Sequence, residues 1–428
     1  MNLLVSNKSK IIFFLIIILI SFYRSPYIFL EGRFFGEEGE LWFKSAYENN
    51  FFKHFSYFAE IAGYYNLIVN LLTELSTYVP LIYAPLVTVY GSFIIILIPI
   101  LLILFKDSYL FKNDKQKFVG CLIFFITYPH IPEIWLNSVN SQIYLFFISL
   151  LILYLKPSDK KNKILMSSLL FLSGMSGIYS CSLTPLYLLK YYFTKTKNDL
   201  INSIILVFCS ITQLSLIIYS KFSGKLYESI INPSFTIDGI INLIYNFFAK
   251  PIIGRQSLHF IYESSGLQNF GYISMLLIFL SIFVIIFFIL LRSKFIEYFY
   301  KDYVLQSLLI IYVLIFMIVI LGADNFQTSG RYAAIPGVLF LLIIFRIGTN
   351  FNSKTIANFF SILLLISIIT GFYEFRPNVK NIYSNHHSLK NLDCLNCPNW
   401  QEEVKRFRED NSYQLKIWPY DNKAMQLN

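Results

Sequence analysis

Residues 11–30, IIFFLIIILISFYRSPYIFL, and the Phe35-Gly36-Glu37-Glu38-Gly39-Glu40 that follows decide how the chain is read. At 1.5 Å per residue the apolar run reaches about 30 Å, the thickness of a bilayer's hydrocarbon core. Lys8 and Lys10 precede it, and the bias of basic residues toward the cytoplasm holds that end inside. The acidic knot therefore emerges on the far side, at the membrane surface. Three carboxylates within four residues of an otherwise apolar stretch mark a functional site. The plainer reading is a solvated acidic loop.

The 428 residues are 56% hydrophobic and 18% aromatic, with only 14% charged. Soluble domains carry about a quarter charged residues, so the chain reads as an all-α polytopic membrane protein. Its net charge of +10 belongs to Lys and Arg between spans, the positive-inside pattern, and argues against nucleic acid as a partner. The first span is too long and too aromatic for a cleaved signal, and no small-x-small cleavage site follows it. Cys121, Cys181 and Cys209 lie in apolar runs and read as packing residues. Cys394-x-x-Cys397 in the polar tail suits a local disulfide, or zinc with His386 and His387, although that spacing matches no standard ligand pattern.

Outward from the knot, residues 61–78 read as a mixed interfacial helix carrying Tyr64, Tyr65, Asn66, Asn70 and Glu74. Residues 81–105 and 118–128 read as the second and third spans. Residues 132–155 read as the fourth, with Glu133, Asn137, Asn140 and Tyr144 along one helical face. A polar stripe within a span needs partners or water. Interhelical hydrogen bonds explain the two asparagines but not the glutamate, which favours a cavity-facing stripe. Residues 164–189, interrupted by Gly174, Gly177 and Pro185, read as a hairpin of two short legs, because a single crossing would move six basic residues outside. Spans at 200–219, 271–291, 303–321, 333–345 and 355–373 bring the count to about eleven. A long outer loop, 221–270, holds a second interfacial helix at 237–248. The expected organisation is a membrane domain over 1–373, with its acidic first outer loop at 31–80, and an extracytoplasmic tail over 374–428.

Three polar groups then fall on one side: Glu37 with Glu38, the Glu133–Asn140 stripe, and Asp324 to Tyr332 with Arg331. A carboxylate can take a proton from a hydroxyl, and an arginine pairs with phosphate through two parallel bonds. Such a set could serve glycosyl transfer from a lipid-linked sugar, a transporter site or simple packing. The dinucleotide fingerprint, the P-loop, the zinc H-E-x-x-H and the serine elbow are all absent from the sequence.

An N-terminal span leading at once into Glu37-Glu38-Gly39 with Trp42-Phe43 behind it resembles the GT-C superfamily of integral membrane glycosyltransferases. More closely, the chain looks like a broad bacterial multi-span set related to that superfamily. The matching pieces continue with Gly63-Tyr64, Glu133-x3-Asn137-x2-Asn140, Gly174-x2-Gly177, Arg331-Tyr332 before Pro336, and Cys397-Pro398-x-Trp400 through Ile417-Trp418-Pro419. The resemblance implies a polyprenyl-phosphate sugar donor, a glycan or glycolipid acceptor, and Glu38 or Glu37 as catalytic base. Glu38 is preferred because Gly39 beside it lets backbone approach a ligand. Tyr64, Glu133, Asn137, Asn140, Asp324, Arg331 and Tyr332 are then the expected binding residues. Many members carry Asp-containing pairs where this chain has Glu-Glu, and some use a divalent metal ion, for which Glu37 and Glu38 would be the ligands. The rivals are a flippase or a polymerase of lipid-linked saccharides. Against a transporter, neither inverted repeats nor midplane charges are visible.

Overall fold

The computed structural model describes residues 7–127, 133–156, 159–225, 243–254, 295–322, 330–375, 398–419 and 423–427. It is mostly helical, at 77%, as an all-α membrane protein is. Five helices among the described residues are long and apolar enough to cross a membrane: Leu81–Phe105, Lys197–Phe222, Tyr303–Ile320, Arg331–Asn350 and Lys354–Glu374. The expectation of eleven spans does not hold against this count. The expected spans at 81–105, 200–219, 303–321, 333–345 and 355–373 coincide with these five, and 271–291 lies outside the described residues.

The first, third and fourth expected spans fail for local reasons. The first is broken. Its helix, Asn7–Arg24, carries Lys8, Lys10 and Arg24, and a second short helix, Pro26–Glu31, starts after Ser25. Pro26 disfavours helical backbone at the residue before it and cannot continue the hydrogen-bond ladder. Arg24 turns inward, its guanidinium 4.6 Å from the Trp135 ring centre. The third becomes a helix over Asp114–Leu122 that loosens into a π-turn over Ile123–Thr127. The fourth is helical only over Ser141–Tyr154, fourteen residues that are all buried. A helix apolar on every side and about 21 Å long belongs in a core rather than across a bilayer.

The chain divides into two compact units. The first holds residues 1–107, 132–226 and 377–428. Its centre is the buried Ser141–Tyr154 helix, packed on Ala84–Phe105 and Lys160–Gly174. Residues 164–189 form two legs, Lys160–Gly174 and Thr184–Thr194, each packed on Lys197–Phe222. The broken backbone between them faces protein. Met175 O accepts from Leu67 N at 3.0 Å, and Gly177 N donates to Tyr65 O at 3.1 Å. Gln213, from the middle of Lys197–Phe222, clamps the same strand, accepting from Tyr65 N and donating to Tyr65 O and Gly174 O. Buried backbone groups need partners, and here one amide side chain supplies three.

Residues 61–78 do not form an interfacial helix. The helix is Leu67–Thr77, with eight of its eleven residues buried, Asn70 and Glu74 among them. The described part of the tail folds into a helix, Trp400–Glu409, and an antiparallel pair, Leu415–Lys416 with Ala424–Met425. It packs Trp400, Val404, Leu415, Ile417, Met425 and Leu427 against Phe34, Phe43 and Ala84. Cys394 and Cys397 lie outside the described residues, as does the first half of the second expected interfacial helix, residues 237–242.

The second unit holds residues 108–131 and 227–376. Its Ala334–Asn350 helix packs between Tyr303–Gly322 and Lys354–Glu374. Arg346 makes two parallel bonds to Asp302, 2.8 and 2.9 Å, and donates to Tyr109 O at 3.0 Å. Asp302 also accepts from Tyr298 OH and from the amides of Val304 and Leu305, which start the next helix. A pair only 7% exposed on each side is tolerated only with this degree of hydrogen bonding.

Candidate functional site

Gly36, with φ +53°, turns the chain out of the first helices, and Glu38–Phe43 continues as a π-turn. That turn separates the two central carboxylates. Glu38 is fully buried and Glu37 is partly exposed. Glu38 Oε1 accepts from Ser138 N at 2.8 Å and Ser138 Oγ at 2.5 Å, and Oε2 accepts from Phe35 N at 3.3 Å. Loss of water raises the Glu38 carboxyl above its ordinary range, opposed by the Ser138 bonds and by the charge of Arg33. Arg33 is itself buried. Its guanidinium lies 4.7 Å from the Phe35 ring centre and 4.8 Å from that of Trp418, and it donates to Trp135 O at 2.7 Å. Burial lowers it to about 9, with Glu38 pulling the other way.

The knot is held from both sides. Trp418 N donates to Phe34 O at 3.1 Å and Trp418 O accepts from Gly36 N at 2.7 Å. Lys423 pairs with Glu40 at 3.1 Å. A Cβ at Gly39 would lie 3.0 Å from Phe34 Cβ and 3.2 Å from Ile417 Cδ1, so the tail approaches as closely as a glycine permits.

Glu37 is partly exposed, and its charge acts on Tyr57. Burial raises the Tyr57 hydroxyl, and the charges of Glu60 and Glu37 raise it further. Tyr57 belongs to an open cleft of about 510 Å³ lined by Leu41, residues 56–61 and Lys225. Lys225 forms an ion pair with Glu60 within it. The cleft's floor is fixed from beneath. Asn70 Nδ2 donates to Phe55 O and Tyr57 O, Tyr65 OH donates to Phe55 O, and His54 is enclosed by Ser45, Thr73 and Asn70 O. Burial lowers His54, which suits its lodging as a neutral ring.

The Glu133–Asn140 stripe is not a helical face. Residues 133–140 form turns, Leu136 takes φ +52°, and both Asn137 and Asn140 donate to the Glu133 backbone carbonyl at 2.9 Å. The asparagines serve as local braces that deliver Ser138 to Glu38. Tyr64 OH accepts from Gln142 Nε2 at 3.3 Å. Arg331 and Tyr332 belong to the second unit, where the guanidinium lies 5.3 Å from the Tyr332 ring centre. Asp324 lies outside the described residues. Arg33, Tyr57, Ser138 and Lys225 are the site residues that sequence reasoning did not single out. Arg33 alone carried a signal, a charge between apolar neighbours and an acidic motif.

The knot does not suit a divalent cation. Both Glu38 oxygens face N–H or O–H donors, and among the described residues no three His, Cys, Asp or Glu side chains gather. No family model, curated protein or solved structure matches the chain.

Proposed function

We propose that this protein is an integral membrane glycosyltransferase, as its resemblance to the GT-C superfamily implies. It would move a sugar from a polyprenyl-phosphate-linked donor to an envelope polysaccharide or glycolipid on the extracytoplasmic face. The observation that carries the reading is the division of labour within the acidic pair. Glu38 is locked inside the fold, and Glu37 is partly exposed, with its charge acting on Tyr57 of an open cleft. A base must reach its substrate and be ionised to accept a proton. By its exposure Glu37 takes the catalytic role and Glu38 the positioning one.

The acceptor hydroxyl attacks the anomeric carbon while Glu37 takes its proton. The bond from that carbon to the phosphate oxygen breaks, and polyprenyl phosphate leaves with the electron pair. One displacement inverts the configuration. Tyr57 and Phe58 offer flat apolar faces to a sugar ring or a lipid tail.

The test uses membranes from cells expressing the chain, supplied with a polyprenyl-phosphate donor carrying a labelled sugar. Wild-type membranes are expected to move label into glycan or glycolipid, and Glu37→Gln membranes to leave it on the donor. Equal labelling by both would refute the assignment.

A further inference from the structure

The expected phosphate anchor, Arg331, belongs to the second unit, yet the cleft that holds Tyr57 carries a cation of its own. Lys225 stands just past the end of Lys197–Phe222, after Gly224 turns the chain at φ +69°. Its amine pairs with Glu60 across the cleft, and the side chain remains 55% exposed. Below it, Ile211, Leu214, Ile218 and Phe222 are exposed at helical spacing, Phe222 to 87%. This stripe lies on a 26-residue helix apolar enough to cross a membrane, and it leads to the turn that bears Lys225. The Tyr219 ring, beside it, meets Phe58 of the cleft at 6.1 Å. An apolar track ending in a cation at a span's terminus matches an amphiphile with a long hydrocarbon tail and an anionic head.

We propose that Lys225 binds the phosphate of a polyprenyl-phosphate lipid whose tail lies along the exposed face of Lys197–Phe222, with Glu60 holding the amine in place when the phosphate is absent. The identity of the lipid rests on the function proposed above, while the binding is measured without transfer. A protein that binds but does not transfer would refute only the glycosyltransferase. The reverse result would refute only this site.

Because Glu60 competes with the phosphate for one amine, the two partners have opposite effects. The full chain in phosphatidylcholine nanodiscs is titrated with radiolabelled polyprenyl monophosphate, with and without excess inorganic phosphate. Lys225→Ala is expected to weaken binding about 10- to 100-fold, the loss of a charge-assisted contact. Glu60→Gln is expected to tighten it about two- to fivefold, the release of an exposed ion pair. Lys225→Arg should retain most of the affinity. Lys221→Ala, exposed one turn away and outside the cleft, should leave it unchanged. Unaltered binding by Lys225→Ala, or weaker binding by Glu60→Gln, would overturn the proposal. Complete displacement by inorganic phosphate at equal concentration would overturn the lipid track, leaving a site for free anions.

Discussion

Two adjacent glutamates differ because Glu37 stays partly exposed while Glu38, the first residue of the π-turn, is buried. Glu38 anchors the knot to Ser138 across a separation of 100 residues. Removing the hydroxyl with Ser138→Ala leaves a buried carboxylate with one bond fewer, at a cost of about 1–3 kcal/mol, readable as a lower thermal midpoint of the purified protein. The carboxyl's raised position sets the sign of a pH effect. Folded protein holds a proton there that the unfolded chain, with an ordinary carboxyl near pH ~4.3, has already released. The resulting stabilisation is fully present below that pH and is lost as pH rises through the folded value. Glu38→Gln should flatten this part of the stability profile, and an unchanged profile would show that Glu38 titrates alike in the folded and unfolded chain. The pair itself was legible in the sequence, since three carboxylates in an apolar setting need a reason. Which of them is buried was not, because the group that buries Glu38 lies far away in a segment expected to be helix.

At the scale of elements, the tail and the acidic loop make one structure. Phe34 and Phe43 stack at 4.4 Å, and Trp400 meets Phe34 edge-on at 5.0 Å. Gly39→Ala would push on Phe34 and Ile417, an overpacking cost of about 1–3 kcal/mol. Limited proteolysis should detect it as faster cleavage within residues 31–60, and unchanged cleavage would mean that the tail yields freely. Lys423→Ala removes only a partly exposed ion pair, worth about 0–1 kcal/mol, so its midpoint should stay close to wild type. The tail motif Ile417-Trp418-Pro419 was conspicuous in the sequence, but its docking partner was not, because strand pairing between distant segments leaves no local periodicity. The polar stripe failed for the opposite reason. Its spacing was helical, yet Leu136 takes a left-handed conformation that spacing alone does not reveal.

Among the described residues, hydropathy located the five long helices and took shorter or broken ones for spans. An apolar run records removal from water, and the Ser141–Tyr154 helix obtains that from protein alone. The Glu40–Lys423 pair constrains topology as well, since partners 3.1 Å apart share one side of the membrane. Single cysteines at Glu40 and Lys423 should therefore react with an impermeant maleimide from the same side, and labelling from opposite sides would contradict the docked tail. The central claim is that Glu37 supplies the base for transfer from a lipid-linked sugar. The most direct measurement is the single-turnover rate of the reconstituted full chain with a polyprenyl-phosphate donor at saturating concentration, comparing wild type, Glu37→Gln and Glu38→Gln. The rate for Glu37→Gln should fall about 10²–10⁴-fold, the usual worth of a general base, with donor affinity near wild type. The rate per folded molecule should fall less for Glu38→Gln. A Glu37→Gln protein that turns over at the wild-type rate would contradict the account.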